Sequence, residues 1–586
     1  MFIILLSLFA VKADFQQGMW VRASSLVFPD SIEHIIEIAE ELNITDIYAQ
    51  VVVGGYAYYK SDILPRSQYL AKVASPDYDP LDSLIKLCHD KSIKVHAWVN
   101  ALLVWSLKEK PDSTNHLFYT HPEWFIKDVQ GRSMANYTLE DWKGYNLEGL
   151  YLDPAQDLVR EYLANICAEI AQKYSVDGIH LDFIRYPGVL WGLPQTEKAA
   201  VFYSMDADTL RWLDLFRYPR LRLYLRWMLW HYWQINQDKE RFLYQTVQLA
   251  SQATKTNAMK NNCRFSAAAF AIPGSARYSY AQNWWSWEEL IDYPVIMSYT
   301  QDIRLFNDYL NFANSHQKNA IMGIGFLWPG MEPEAQWEVN AVKNNSGSGI
   351  CFFDYKNIDT MVDIDRLTKP NLVSESLLID STRYQAIVDR STIFDYGDGR
   401  KITQIIEDSR DYVNWEQCFQ FSAFLLSLSL NPYQDLQRMG LSLEDFLQSM
   451  RDDVEGFKSI DNNIFPLGDE LIEPPKREVA YAFLVWSDDS AKIRKKAKRI
   501  KKLSQQKIIY PYAMDKFTRA VFAAEKGKKE ICSTAKGIYV FKVKKIYNGG
   551  KKIKREKVKP ELLPVYLNWT IKTRYTEVTE IGRSEH

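Results

Sequence analysis

A chain of 586 residues exceeds one ordinary domain, even one the size of an α/β barrel, so two or three folded units are expected. Its composition, 47% hydrophobic and 25% charged, fits a globular protein and excludes a disordered or membrane-spanning one. A formal charge of −2 argues against nucleic acid as a partner of the chain as a whole. The 18 Trp and 35 Tyr suit core packing and the stacking of sugar rings alike.

Residues 1–13 (MFIILLSLFAVKA) carry an apolar run too short to span a bilayer and end in the small-residue pattern Val11-Lys12-Ala13, which reads as a secretory signal and implies a periplasmic or secreted location. No Lys or Arg precedes that run, which leaves a core strand as the other reading. Apolar strand-like runs then alternate with helical patterns, the signature of a parallel sheet wrapped by helices. Strand one is expected over 19–23 and its helix over 31–41, capped by Asp30 or Ser31. Strand two spans 46–53, followed by a Gly54-Gly55 loop. A helix over 80–90 leads to strand three over 94–100, whose alternation puts His96, Trp98 and Asn100 on one face. A helix over 158–174 precedes strand four, a short strand within 176–187 that has Asp182 at its carboxyl end and runs into a loop. The stretch 189–255 is an insertion plus a helix, with Trp227-Met228-Leu229-Trp230-His231-Tyr232-Trp233 at the spacing of a buried face. Strands five to eight follow over 265–270, 294–299, 321–326 and 349–353, with a helix over 284–290. Eight strands, each paired with a helix, predict one (β/α)8 barrel over residues 15–370. The six Cys stand singly inside apolar stretches and read as small core residues, with no ligand spacing for a metal, and no cofactor is implied.

Asp182 stands at the carboxyl end of strand four, where a barrel collects its chemistry. Its plain alternatives are a helix cap or a partner for Arg185. The ordered set Gly18-Met19-Trp20-Val21-Arg22, Tyr48-Ala49-Gln50-Val51, Asp79-Pro80-Leu81, His96-Ala97-Trp98-Val99-Asn100, His121-Pro122-Glu123-Trp124, Asp177-Gly178-Ile179-His180-Leu181-Asp182 and Met297-Ser298-Tyr299-Thr300 resembles the bacterial glycosyl-hydrolase-like family ten. The resemblance covers about the first 370 residues. It implies hydrolysis of glycosidic bonds in a cell-envelope or other polysaccharide, with Asp182 in the place of the amylase nucleophile. Many members carry a second Asp after this one, and here the position is Phe183.

Glycoside cleavage asks for two carboxyl groups. The run Ala267-Ala268-Ala269-Phe270 offers none after strand five, so the partner is sought at Asp302 or Asp354, and Asp302 is taken as the catalytic one. Arg22, Gln50, His96, Asn100 and His180 are expected to face the upper barrel interior and hold substrate hydroxyls. Trp98, Tyr299 and Trp328 are candidates for ring stacking, Arg185 and Tyr186 for orienting Asp182 or binding a substrate carboxylate, and Asp354 for binding. The other class of reading is a protein without catalysis, a polysaccharide-binding barrel or an envelope folding factor.

Past residue 370 the pattern changes. A helical, chaperone-like segment is expected over 380–472, a small α+β domain over 476–550 and a tail over 551–586. Within 476–550 the order of strand, basic helix, Phe517-Thr518-Arg519-Ala520-Val521-Phe522 and Gly537-Ile538-Tyr539-Val540-Phe541 is similar to a parvulin-type prolyl isomerase. The family's two His positions are Ala482 and Tyr539 here, and its Gly-rich loop is missing. That implies a binding module for unfolded or envelope protein with little isomerase activity. No integral membrane segment is expected.

Overall fold

The computed structural model describes residues 15–584 except 107–108, 130, 139–140, 142–146, 195, 197, 203–218, 261, 328, 346, 365–366, 368–452, 455–456, 486–489, 511–515 and 534–536. The expected signal segment, most of the helical, chaperone-like segment over 380–472 and Trp328 lie outside the described residues. Two compact units divide the chain: Met1–His121, Pro154–Arg185 and Glu240–Ser391 form the first, and Pro122–Asp153, Tyr186–Lys239 and Thr392–His586 the second.

The first unit is a closed barrel of eight parallel strands: β1 (Gln16–Val21), β2 (Asp46–Val53), β3 (Lys94–Asn100), β4 (Gly178–Asp182), β5 (Arg264–Phe270), β6 (Tyr293–Met297), β7 (Ile321–Gly325) and β8 (Gly349–Phe353). Each pairs in parallel with its neighbour in sequence, and β1 closes the ring on β8 with Gln16 opposite Gly349. Expected and observed bounds coincide for β2, β3 and β8. Strand one starts at Gln16 rather than Met19, because polar Gln16 is a buried bottom-layer residue rather than a leading loop.

Helices α1 (Pro29–Glu41), α2 (Pro80–Asp90), α3 (Asp157–Lys173), α4 (Pro219–Asn257), α5 (Ile303–His316), α6 (Glu332–Asn344) and α7 (Tyr355–Met361) alternate with the strands. Helix α1 begins without a side-chain cap: Pro29 at its first position has no N–H to satisfy and its fixed φ suits a helix start, so neither Asp30 nor Ser31 is needed as one. Helix α2 starts as its sequence demands, with the Asp79 side chain accepting from the Leu81 and Asp82 amides. The helix expected over 284–290 is only a 3-10 turn, Trp284–Trp287, whose Trp284 and Trp287 rings are fully buried. The aromatic stretch of α4 packs as core, Trp227, Trp230 and Trp233 all being buried. The five Cys among the described residues are buried.

Inward side chains stack in layers. At the bottom Gln16 donates to the Tyr48 hydroxyl (2.6 Å), which lies 3.0 Å from that of Tyr293, and His96 meets Asp46 at 2.7 Å. Above them Trp20 donates its indole N–H to His180 Nε2 (3.3 Å), and His180 Nδ1 faces Ser266 Oγ at 2.9 Å. Gly178 is glycine for a reason of space: a Cβ there would lie 2.3 Å from His96 Nδ1 and 2.8 Å from the Arg264 carbonyl.

In the second unit β9 (Glu470–Ile472) pairs with a late strand, β14 (Lys552–Lys554), and a four-stranded antiparallel sheet runs in the order β11 (Gln505–Ile509), β10 (Lys476–Val485), β13 (Gly537–Tyr547), β12 (Lys529–Ser533). Helix α8 (Ser490–Arg499) sets Ala497 against Ile538 and Val540, while α9 (Lys516–Ala523) sets Phe517 and Val521 against Val479, Phe541 and Val543. Odd and even residues of β13 point to opposite faces, so the two helices cover opposite sides. Residues 551–586 are not a tail. They hold β14 and α10 (Leu563–Ser584), where Asn568 donates to the Ala200 and Val201 carbonyls (3.0 Å each) and the Thr570 hydroxyl accepts from the Ile472 amide (2.8 Å). Among the described residues no helix is long and apolar enough to cross a membrane.

Candidate active site

The carboxyl ends of the strands carry a polar group set. Gln50, late in β2, donates to Asn100 Oδ1 at the end of β3 (3.2 Å) and accepts from the Ala23 amide (3.3 Å). Asn100 sits opposite Asp182 in the ladder, and the Asp182 carbonyl accepts from the Ala101 amide (2.8 Å). Asp182 is half-buried, and its Oδ1 accepts from the amide of Phe183 (2.7 Å).

Phe183 holds φ +52°, a left-handed conformation that Asn or Asp tolerates better than a bulky ring. Aromatic packing stabilises it: the buried Arg185 guanidinium lies 5.0 Å from the Phe183 centroid, 4.5 Å from Phe270 and 5.2 Å from Tyr280.

Across the mouth stands Asp354, immediately after β8 and fully buried. It pairs with the half-exposed Arg22 guanidinium, and its Oδ1 accepts from the Asn357 amide to cap α7. Tyr299 feels the charge of both acids. Burial is the main reason its hydroxyl is held well above the ordinary tyrosine range; Cys351 and then the Asp182 and Asp354 carboxylates add to this, and Arg22 opposes it. The hydroxyl therefore stays protonated as a donor within the field of both carboxylates. Space for its ring comes from β7, where a Cβ on Gly325 would lie 2.9 Å from the Tyr299 ring and one on Gly323 3.3 Å from it. That glycine pair, facing a Tyr, is a signal the sequence contains and the motif reading passes over.

Arg22, Gln50, Asn100, Asp182, Tyr299 and Asp354 thus come together. Other nominated residues do not. Asp302 caps α5 as Asp354 caps α7, its Oδ1 accepting from the Arg304 (3.0 Å) and Leu305 (3.2 Å) amides while its Oδ2 is buried without a hydrogen bond, and burial, then the Asp302 charge, lifts the Asp308 carboxyl above its ordinary range. His96 lies in the bottom layer, bonded to Asp46, instead of near a strand end. Burial pulls the Asp46 carboxyl up, but its bonds with His96 and Thr45 outweigh that and hold it below the ordinary range. His180 is one layer below the mouth; burial drives its pKa down to about 3, so it is a neutral core group. Trp98 is buried with Trp20 and Tyr48 and offers no open face. Tyr186, in the second unit, packs under the Lys239 ammonium at 5.1 Å.

A closed (β/α)8 ring with a half-buried Asp after strand four and a second acid after strand eight has the form of a glycosyl-hydrolase-type barrel. The chain belongs to the glycosyl hydrolase-like 10 family, whose model matches residues 17–326, just over half of it. It is 30% identical over 163 residues to the glycosyl hydrolase DigH of Escherichia coli (strain K12), a match covering 28% of this chain and 34% of that one. To the glycosyl hydrolase YngK of Bacillus subtilis (strain 168) it is 24% identical over 178 residues, 30% of this chain and 31% of that one. The chain thus matches about a third of the length of these curated relatives. The glycoside hydrolase domain of PgaB (BpsB) from Bordetella bronchiseptica is similar at a TM-score of 0.42 and 12% identity, over 61% of this chain and 100% of that one. At that score the likeness adds nothing to the strand pairing.

Proposed function

We propose that the barrel hydrolyses a glycosidic bond of a cell-envelope polysaccharide, with Asp182 and Asp354 as its two carboxyl groups. Asp182, the more open of the two, protonates the leaving oxygen. Asp354, paired with Arg22, stabilises the positive charge that develops at the anomeric carbon, and a water then adds to that carbon and gives its proton back to Asp182. Tyr299, Gln50 and Asn100 hold hydroxyls of the sugar. The observation that carries this reading is the ion pair of Asp354 with Arg22 at the strand ends, with Asp182 and Asp354 both acting on Tyr299.

The test is sugar release from a panel of envelope polysaccharides by the wild type and by Asp182→Asn, Asp354→Asn and Asp302→Asn. The first two are expected to lose on the order of 10²-fold or more, the usual weight of acid–base groups, and the third to keep most activity. Full activity in Asp182→Asn sinks the assignment. A sugar-holding barrel without cleavage is the second reading, favoured by the complete burial of Asp354 and its engagement by both Arg22 and α7. It predicts saturable glycan binding by a wild type that releases no sugar.

Export through a cleaved leader over residues 1–13 completes the proposal, and the mature amino terminus of protein recovered from the envelope tests it. For residues 476–550 we favour a parvulin-like fold without isomerase activity. The strand–helix–strand–helix–hairpin order supports that reading. So does Tyr539, stacked on Phe517 at 4.0 Å where the resemblance would have a His. A proline-isomerisation assay on the full chain is expected to show no rate above background.

A further inference from the structure

Charge in this chain is segregated. The whole carries 71 Lys and Arg against 73 Asp and Glu, yet residues 476–560 hold 26 basic residues and only 7 acidic ones. The densest part is α8 with the turn after it: eight of the eleven residues 492–502 are Lys or Arg, and none from 490 to 514 is acidic. Lysines 492 and 496, and 495 with Arg499, stand one helical turn apart as like-charged pairs, which weakens a helix. A second pair stands across the sheet, Lys529 opposite Lys542 in the β12–β13 ladder, where like charges also cost stability. The Lys529 ammonium donates to the Ile500 carbonyl just past α8, which makes the two positive areas continuous.

Packing narrows what this surface can take. Ala497 is fully buried, and Ile493 and Ile500 lie against Ile538 and Val540, so the apolar stripe of α8 is used by its own sheet and is not available to enter a bilayer. Lys495, Lys496 and Lys498 are exposed. Tyr481, Phe517 and Tyr539 pack together on the side of the sheet opposite α8, so these rings give no platform on which bases could stack beside the α8 lysines. Lysine outnumbers arginine, which suits a run of point charges rather than planar forked recognition.

We infer that the face built by α8, β12 and β13 binds an acidic polysaccharide, a linear sugar chain bearing carboxylate or phosphate groups at intervals, and so tethers the barrel to its surroundings. The choice of a sugar polymer rests on the proposed glycan substrate of the barrel. The binding itself is independent of cleavage, and its test reads binding alone.

The experiment titrates the full-length protein into fluorescent alginate oligosaccharide, with neutral dextran of equal length, a short DNA duplex and phosphatidylglycerol vesicles as parallel probes. Saturable binding to alginate and none to dextran is expected, weakened about tenfold or more when salt rises from 50 to 200 mM. The triple variant Lys495→Glu/Lys496→Glu/Lys498→Glu is expected to lose at least tenfold, and Lys495→Arg/Lys496→Arg/Lys498→Arg to bind like the wild type, with both melting as the wild type does. Equal binding by the glutamate variant overturns the inference, as does binding of vesicles or DNA without alginate. Failure of the barrel to cut any glycan leaves these readings unchanged.

Discussion

Lys239 stands where a charge is expensive. It is 2% exposed, its ammonium lies 5.1 Å and 5.5 Å from the Tyr186 and Tyr232 ring centres, and its one hydrogen bond among the described residues goes to the Val189 carbonyl (3.3 Å). Burial pushes its pKa down to about 7, with Asp153 opposing in part. An unfolded lysine keeps its proton to about pH 10, so between about 7 and 10 the unfolded chain binds more protons than the folded one and stability rises with pH. Lys239→Met is expected to abolish that rise and to be more stable than the wild type at pH 7. Urea unfolding of both at pH 7 and 9 checks it: the wild type should gain on the variant by about 1 to 2 kcal/mol. At this scale the sequence was least informative about depth. Alternation correctly put His96 and His180 inside the barrel, but a residue two positions earlier in a strand lies one layer lower. The stagger that decides which layer reaches the mouth is a property of the closed ring.

Among elements, α10 shows what a linear reading misses. Its segment follows a lysine-rich stretch and carries no motif, and its value lies in tertiary bonds: buried Asn568 satisfies the Ala200 and Val201 carbonyls from more than 360 positions away. Removing that amide leaves two buried acceptors unpaired, and Asn568→Ala is expected to cost about 1–3 kcal/mol, read as a lower denaturation midpoint. Asn568→Asp, which aims a carboxylate at the same two oxygens, should cost more. The barrel strands, in contrast, are legible. Runs such as Asp46–Val53 and Lys94–Asn100 are buried on both faces, with an unbroken apolar set on one of them (Ile47, Ala49, Val51; Val95, Ala97, Val99), so their bounds coincide with the structure. Asp354 over Asp302 was open in the sequence, since both residues follow a strand and open a helix; only the ion pair with Arg22 and the shared influence on Tyr299 separate them.

For the whole molecule, the barrel core sets an acid limit. His180 is neutral when folded, with a pKa of about 3, and must be charged when unfolded below about 6.5; Asp46, held below its ordinary range, is protonated earlier in the unfolded chain. In both cases the unfolded state binds more protons as the solution turns acidic, so stability is lost as the pH drops, by about 1.4 kcal/mol per unit from His180 alone between about pH 6 and 3. Urea midpoints at pH 7, 5 and 4 should fall in that order, and a constant midpoint would contradict the burial of these groups.

The ring is completed by β8, where Gln16 meets Gly349, and this last strand also delivers Asp354. The span shared with the family stops at residue 326, just after β7. A fragment cut at that boundary would leave the outer ladders of Gln16–Val21 and Ile321–Gly325 bare, with hydrogen-bonding groups ready to recruit other copies, and it should precipitate where a fragment reaching residue 367 stays in solution. The matched span brings Asp182, while Asp354 arrives on the stave that seals the cask, so a piece cut at that border holds one acid and an open ring.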